Sequence, residues 1–173
     1  DPAEAAPAVI KRYLSAYGPA TPETFDAWLS RNSNKKSTLR SWFASLGEQI
    51  VEVRVEGETR YLLAEHEDEL AATRPSRATH LLGAFDQFVL GPGTKDTHML
   101  AHEHRPLVSK AAGWIAPVLT QGGRITGVWE MDDGNLVVTP FPGEQAPPSQ
   151  VLEDTAARLA AVHGSVKVTP RVD

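Results

Sequence analysis

Residues 36–63, with the sequence KSTLRSWFASLGEQIVEVRVEGETRYLL, contain the change of hydrophobic period that decides the fold. Four apolar residues of the first half recur at the i, i+3, i+4, i+7 spacing of an amphipathic helix: Leu39, Trp42, Phe43 and Leu46. From residue 51 to residue 55 the period becomes two, because valines alternate with charged residues. The dipeptide Glu56-Gly57 then indicates a turn, and residues 59–63 return as a second strand. The stretch therefore predicts a helix followed by an antiparallel hairpin.

Two further helices are predicted before this stretch. Residues 1–6 have the composition of a loose lead-in, and residues 8–17 carry apolar side chains at helical spacing. Gly18, which precedes a proline, is expected to end that first helix. Thr21 also precedes a proline, which is the pattern of an N-cap followed by proline at the first helical position. Three short helices closed by a hairpin predict a winged helix-turn-helix domain, to which we assign residues 1–72.

The second half of the chain has a different pattern of apolar residues, with short runs in place of helical spacing. Residues 65–80 are charged and then contain proline and serine, so they mark a domain boundary. Short apolar runs separated by glycine-containing turns predict an antiparallel meander at residues 81–90, 114–119, 124–130 and 136–141. A helix is expected to begin at Ser149, and residues 166–168 are expected to add an edge strand. The predicted fold class is α+β: a winged helix-turn-helix followed by a mostly antiparallel β-rich domain, residues 73–173, with a C-terminal helix.

Composition excludes several classes of function. The 173 residues contain no cysteine, which rules out a disulfide framework, a zinc ribbon and a thiol nucleophile. The net charge of −5 rules out a uniformly basic nucleic-acid coat but allows a local basic face. No apolar run reaches the roughly 18 residues needed to span a bilayer, and no signal peptide is visible, so we expect a cytoplasmic protein without a membrane partner. The chain begins with Asp1 rather than methionine, which suggests a piece of a longer protein.

A local reversal of charge is the main functional signal. No acidic residue occurs between Asp26 and Glu48, and this stretch falls on the turn and recognition helix of the predicted domain. Lysine and arginine there would neutralise phosphates, while hydroxyl groups would donate to phosphates or base edges. The sequence therefore predicts double-stranded DNA as the partner. The expected DNA contacts are Arg31, Lys35, Lys36, Ser37, Thr38 and Arg40, with Arg54 and Arg60 on the wing.

A group of histidines offers a weaker alternative. His98, His102 and His104 lie within seven residues, and on a helix the first two would share one face. The pattern lacks the glutamate of the metalloprotease helix motif, and surface histidines in a polar loop are the simpler interpretation. We therefore expect no cofactor and no catalytic metal. The sequence also has no Gly-x-Ser-x-Gly and no phosphate-binding Gly-x-x-x-x-Gly-Lys loop.

Two stretches of the second half resemble a known family. The first is LLGAFDQFVLG at residues 81–91, and the second is GWIAPVL at residues 113–119 followed by GRITGVW at residues 123–129. Together they resemble a bacterial family of winged-helix DNA-binding proteins that includes DNA glycosylases, which unhook interstrand crosslinks and remove alkylated bases. The resemblance implies that residues 8–64 are the last of several tandem winged helices and that residues 80–170 are the C-terminal β-rich domain.

The resemblance does not supply a catalytic residue. In the glycosylase members, a Gln-x-Gln or Gln-x-Asp motif positions the attacking water, and it belongs to an earlier winged-helix module. No glutamine of this chain has glutamine or aspartate two places later. We therefore expect a DNA-binding module, the C-terminal portion of a larger DNA-binding or DNA-repair protein. Two alternatives stay open: a non-catalytic DNA clamp of a glycosylase for alkylated or crosslinked bases, and a protein-interaction or dimerisation domain. The oligomeric state and the DNA sequence or lesion recognised are not indicated.

Overall fold

A computed structural model describes residues 1–132, 135–163 and 170–172 of the chain. The fold class is α+β, and the residues divide into two units. The first unit contains Asp1–Arg74 together with Leu90–Gly93, and the second contains the remainder from Pro75 onward. The predicted boundary between residues 72 and 73 assigns Leu90–Gly93 to the second domain, whereas the structure places this segment in the first unit. A change of composition along the chain cannot show that a later segment packs with an earlier domain.

Three helices open the first unit. They are α1 (Pro2–Tyr17), α2 (Pro22–Ser30) and α3 (Lys36–Ala44). The expected lead-in at residues 1–6 is wrong: helix α1 already begins at Pro2, because the Asp1 carboxylate accepts a hydrogen bond of 2.8 Å from the backbone N–H of Ala3. Helix α2 begins as expected, with Thr21 as its N-cap.

The hairpin follows α3 after a short 3-10 turn at Gly47–Gln49. Strands β1 (Ile50–Val55) and β2 (Glu58–Leu63) pair in antiparallel register. Glu56 and Gly57 both adopt positive φ, at 47° and 90°, which is the two-residue turn that matches the twist of a hairpin. Helix α4 (Glu67–Ala72) ends this part of the chain. The order of three helices and a hairpin is the expected order, and its assignment as a winged helix-turn-helix stays a prediction.

Aromatic side chains form the core of the first unit. The Phe25 ring lies edge-on to Tyr13, with centroids 5.3 Å apart, and to Phe43, with centroids 5.8 Å apart. All three rings are buried, and such pairs contribute about 1 kcal/mol beyond the area they bury. The core therefore joins α1, α2 and α3 and fixes the orientation of α3.

Gly91 belongs to this unit through a close approach to α1. The Tyr13 hydroxyl donates a 3.4 Å hydrogen bond to the Gly91 carbonyl oxygen. A Cβ atom added at Gly91 would lie 2.1 Å from the Tyr17 ring, a distance that no packed structure tolerates. The absence of a side chain is therefore what allows Leu90–Gly93 to lie against α1.

We predict that Gly91→Ala lowers the free energy of unfolding of the first unit by about 2 kcal/mol, because the Tyr17 ring must move out of its packed position. Urea unfolding measures this change. Gly83→Ala is the matched control, since a Cβ there meets no atom within 4 Å. Equal stability of the two variants would contradict the prediction.

The second unit is built on a five-stranded sheet. Its strands, in spatial order, are β3 (Thr79–Leu82), β4 (Val118–Gln121), β5 (Arg124–Asp132), β6 (Asn135–Pro140) and β7 (Pro170–Val172). The first four form an antiparallel meander, as the short turns indicated, while β7 is parallel to β6. Two short helices, α5 (Gln87–Leu90) and α6 (Arg105–Val108), precede β4, and α7 (Ser149–His163) follows β6. Leu152 and Ala156 of α7 are buried with sheet residues in one apolar core.

Two of the expected strands are shorter than the apolar runs suggested. The run at residues 81–90 leaves the sheet after Leu82, because Phe85 has a φ of 58° and the Asp86 carboxylate then accepts a hydrogen bond from the N–H of Phe88. The run at residues 114–119 joins the sheet only at Val118, following a 3-10 turn at Ala111–Gly113. The edge strand expected at residues 166–168 lies outside the described residues, as does part of the turn expected at residues 132–135.

The two tryptophans of the second unit therefore have different environments. Trp129 lies on β5 and is buried, and its indole N–H donates a 2.8 Å hydrogen bond to the carbonyl oxygen of Leu82. Trp114 is not on a strand: half of its surface is exposed, and its ring lies edge-on to Phe85 with centroids 5.1 Å apart. The strand predicted at residues 114–119 would include Trp114, and this prediction is wrong for that residue.

Among the helices of the described residues, none combines the length and the apolar character needed to cross a lipid bilayer.

Candidate nucleic-acid interface

The turn between α2 and α3 is built on the carboxylate of Asp26. This side chain is buried, with 2% of its surface exposed. Its Oδ1 accepts hydrogen bonds from the Ser30 hydroxyl and, at 2.6 Å, from the side-chain amide of Asn34. Its Oδ2 accepts from the backbone N–H of Asn34 at 3.2 Å. One buried acid therefore ties the last turn of α2 to the residue that leads into α3.

The same hydrogen bonds decide the protonation of Asp26. Burial raises the pKa of this carboxyl group, because it removes water from the charged form. The hydrogen bonds from Ser30 and Asn34 lower the pKa, and together they outweigh burial, so that the net shift is downward from 3.8. Asp26 is therefore ionised at neutral pH and holds the turn as a charged acceptor.

The turn itself contains two residues in the left-handed conformation. Arg31 has a φ of 58° and Asn32 a φ of 64°. A left-handed conformation costs roughly 1–2 kcal/mol for a residue with a Cβ atom, and asparagine tolerates it better than arginine does. Ser33 compensates part of this cost: its N–H donates to the Ser30 hydroxyl at 3.0 Å and its own hydroxyl donates to the Ser30 carbonyl at 2.6 Å. The strained conformation leaves the Arg31 side chain exposed.

Helix α3 presents a polar face next to this turn. Leu39 and Phe43 are buried, while Lys36 and Arg40, one helical turn apart, are exposed. The expected recognition-helix residues all belong to this region, and Thr38 is half-buried. We call the exposed residues the α3 surface: Arg31, Lys35, Lys36, Ser37 and Arg40.

The cations of the α3 surface are not paired with acids among the described residues. Within the described ranges, none of its lysines or arginines forms an ion pair. No acidic residue lies between Asp26 and Glu48 in the sequence, and Asp26 is buried and hydrogen-bonded. The positive charge of this surface is therefore available to an external anion.

The hairpin that the sequence predicts to be a wing has fewer exposed arginines than expected. Arg54 is exposed, and its guanidinium donates a 2.9 Å hydrogen bond to the Thr59 hydroxyl. Arg60 is buried instead: it pairs with Glu58 at 3.2 Å and donates to the carbonyl oxygen of Pro19 at 3.5 Å. Its burial and these partners argue against the predicted DNA contact of Arg60, which no DNA-bound structure tests. Strand periodicity could have shown this, because Arg60 shares a strand face with the buried Leu62.

The histidines are not arranged as a metal site. His98 lies in a turn, so it does not share a helix face with His102, and His102–His104 form a 3-10 helix. His104 is buried against the Phe141 ring, with centroids 4.6 Å apart. In residues 1–132, 135–163 and 170–172, no three potential ligand side chains are gathered closely enough to hold a metal ion.

Asp26 and Asn34 are the structural residues of this site that sequence reasoning missed. A signal existed, since Asp26 and Ser30 are one helical turn apart and Asn34 follows in a polar break. The pattern does not reveal that all three side chains converge, because that depends on the chain reversal between the helices.

Three helices, a hairpin and a five-stranded sheet in the described residues thus give an α+β chain with an exposed cationic face on α3. The chain belongs to the DNA glycosylase AlkZ-like family, whose model matches residues 1–162. It is 54% identical over 172 residues to an interstrand DNA cross-link repair glycosylase of Streptomyces sahachiroi, an alignment that covers 99% of this chain and 46% of that protein. The solved structure of the DNA glycosylase AlkZ of Streptomyces sahachiroi matches with a TM-score of 0.98 and 54% identity, covering 100% of this chain and 47% of that chain.

The chain thus spans less than half the length of the relative that it matches. The resemblance seen in residues 81–91 and 113–129 is confirmed at the level of the family. The narrower prediction, that the chain is the C-terminal part of a family member, has no support, because the family model matches almost the whole chain.

We predict that Asp26→Asn lowers the free energy of unfolding by about 2 kcal/mol at pH 7, because an amide cannot accept all of the hydrogen bonds that the carboxylate accepts. The folded pKa of Asp26 lies below 3.8, so the stabilisation is complete above that value and is lost as the pH falls through the folded pKa. Urea unfolding of both proteins between pH 7 and pH 2 measures the difference. A gap that stays constant over this range would contradict the role assigned to the charge.

A second prediction concerns the backbone strain at Arg31 in the turn before α3. Arg31→Gly should raise the free energy of unfolding by about 1 kcal/mol, because glycine adopts the left-handed conformation without a steric cost. Thermal unfolding measures this, and Asn32→Gly is the control with a smaller expected gain. A loss of stability on Arg31→Gly would show that the side chain makes a stabilising contact.

Proposed function

We propose that this chain binds double-stranded DNA through the α3 surface and that it supplies this DNA binding to a DNA-repair glycosylase. The observation that carries the proposal is the exposed lysine and arginine side chains on α3 and in the turn before it, which have no ion-pair partner among the described residues of a chain of net charge −5. Membership of the glycosylase family supports a DNA-repair role.

The mode of contact follows from the chemistry of this surface. Lys35, Lys36 and Arg40 would neutralise phosphates and release counterions, which makes the affinity depend steeply on salt. Ser37 and Thr38 would donate to phosphates or base edges as α3 enters the major groove. Few groups can read bases, so the binding is weakly sequence-selective, as suits a protein whose target is defined by damage rather than by sequence.

The wing plays a limited part in this proposal. The hairpin tip carries Glu56 and Glu58, whose charges repel phosphates, and Arg60 is committed to Glu58. Arg54 is the wing cation that we assign to DNA. We therefore place most of the contact on the helix and the turn before it.

For the whole protein, we propose glycosylase activity on alkylated or crosslinked bases. The support is the 54% identity to an interstrand DNA cross-link repair glycosylase. We assign to this chain the holding of the duplex rather than cleavage of the glycosidic bond, because none of its glutamines belongs to a Gln-x-Gln or Gln-x-Asp motif. A glycosylase must hold its duplex while a nucleotide is drawn out of the base stack, and a cationic helix face suits that task.

The test of the proposal is the double substitution Lys36→Glu with Arg40→Glu. We expect it to abolish duplex binding in a low-salt gel shift and, where residual binding is measurable, to lower the slope of log affinity against log salt by about 2. The matched control is Lys11→Glu with Arg12→Glu, which makes the same change of net charge at exposed positions on α1.

The control separates a specific surface from net charge. Equal loss in both double variants would mean that only the total charge matters, and unchanged binding in the α3 variant would refute the assignment. The mass of the chain in solution, measured in parallel, tests the alternative of a dimerisation domain: a monomer that binds DNA discards it.

A further inference from the structure

A second cationic feature lies in the second unit, in residues 94–105, which include His98, His102 and His104. A cleft of about 220 Å³ is lined by six residues. They are Thr94, Lys95, Thr97, Leu100, His102 and Arg105. Leu100 is fully buried and forms an apolar floor, while Lys95, Thr97 and His102 are exposed at the rim. The cleft is thus open to solvent on one side and closed by the core on the other.

The lining has one sign of charge. Lysine, arginine and histidine contribute three nitrogen groups, and none of the described residues that line the cleft is acidic. In the part of the chain that the structure describes, neither Lys95 nor His102 nor Arg105 forms an ion pair. A lysine and an arginine repel a metal cation, so this arrangement is unsuitable for zinc and suitable for an anion.

Arg105 is held in a fixed orientation. Its Nε donates a 3.3 Å hydrogen bond to the Thr94 hydroxyl oxygen. Because the hydroxyl accepts from Arg105, its own proton remains available to donate. The two terminal nitrogens of the guanidinium have no hydrogen bond to any of the described residues, so the fork can bind two oxygens of one anion.

The loop that carries these residues is anchored by backbone hydrogen bonds. The Asp96 carboxylate accepts from the N–H of His98 at 2.9 Å, and the Asp96 carbonyl accepts from the N–H of Leu100 at 3.0 Å. The carbonyl of Met99 accepts from the N–H of Ile125 on β5 at 2.8 Å. Asp96 and Glu103 are the acids next to lining residues in the sequence, but neither of them lines the cleft. Lys95 therefore belongs to an ordered loop fixed to the sheet, while His102 and Arg105 belong to the 3-10 helix and to α6, which follow that loop.

We propose that this cleft binds a phosphate group. A tetrahedral phosphate offers several oxygens to a guanidinium fork, an ammonium group, an imidazole and two hydroxyls, whereas a planar carboxylate has only two oxygens to offer. The phosphate comes either from a phosphodiester of the DNA backbone, a source that rests on the proposed function, or from free phosphate. In both cases the site is separate in sequence from the α3 surface.

The first experiment uses inorganic phosphate as the probe. We expect saturable NMR shifts at the amides of Thr94, Lys95 and Thr97 and at the Arg105 side chain, with acetate at equal ionic strength causing none. Lys95→Ala with His102→Ala should weaken phosphate binding about tenfold or more, because the first change removes an ammonium group and the second an imidazole N–H donor, both at exposed positions where we expect folding to be unchanged. Lys110→Ala, an exposed cation outside the cleft, is the control and should leave binding unchanged.

The second experiment identifies the source with duplex DNA. If the ligand is a backbone phosphodiester, the Lys95/His102 double variant also lowers duplex affinity and reduces the salt slope by about 1, while Lys110→Ala does neither. If the ligand is free phosphate, duplex affinity is unchanged and only phosphate binding is lost. Shifts that do not saturate, or that are the same in the double variant and the wild type, overturn the site. Failure of the proposed function is a separate result: the α3 variant would then bind duplex DNA as the wild type does, whereas failure of the cleft is seen in phosphate binding, which the α3 variant is expected to leave unchanged.

Discussion

The carboxylate of Asp26 is the group on which the proposed DNA surface depends. It accepts hydrogen bonds from Ser30 and from both the backbone and the side chain of Asn34 while lying almost fully out of water. A buried charge without partners would be strongly destabilising, so these donors are necessary for the ionised form to persist. They also fix the chain reversal between α2 and α3. The buried acid therefore holds the turn that leads into α3, while the aromatic core fixes the orientation of the helix itself.

The exposed cations of both proposed binding surfaces stand out against the negative charge of the chain. An excess of acids over bases gives the chain its net charge of −5, yet both cationic features remain without ion-pair partners in the described residues. Exposed cations that are not neutralised by neighbours keep their attraction for phosphates, and that attraction is lost when an arginine pairs internally, as Arg60 does with Glu58. Ion pairing and burial thus decide which arginines are available to a ligand, and the number of arginines in the sequence does not.

Much of the architecture could be predicted from periodicity and turn chemistry. The helices at Thr21 and Ser149, the hairpin across Glu56-Gly57 and the antiparallel meander all follow from short-range rules, because capping residues and two-residue turns act within a few positions of the chain. The predictions were wrong where an apolar run was assumed to be a strand throughout. Phe85, with its positive φ, shows why: an apolar side chain does not reveal a backbone that has left the sheet.

The sequence by itself determined the order of elements, the acid-free stretch before Glu48 and, through the motifs of residues 81–91 and 113–129, the family. Only the tertiary structure decided that Arg60 is buried, that Asn34 meets Asp26, that Gly91 lies against Tyr17, and that Lys95, His102 and Arg105 surround one cleft. The physical reason is that local propensity depends on neighbours in the chain. Burial, ion pairing and the convergence of distant side chains depend on which segments the folded core brings together.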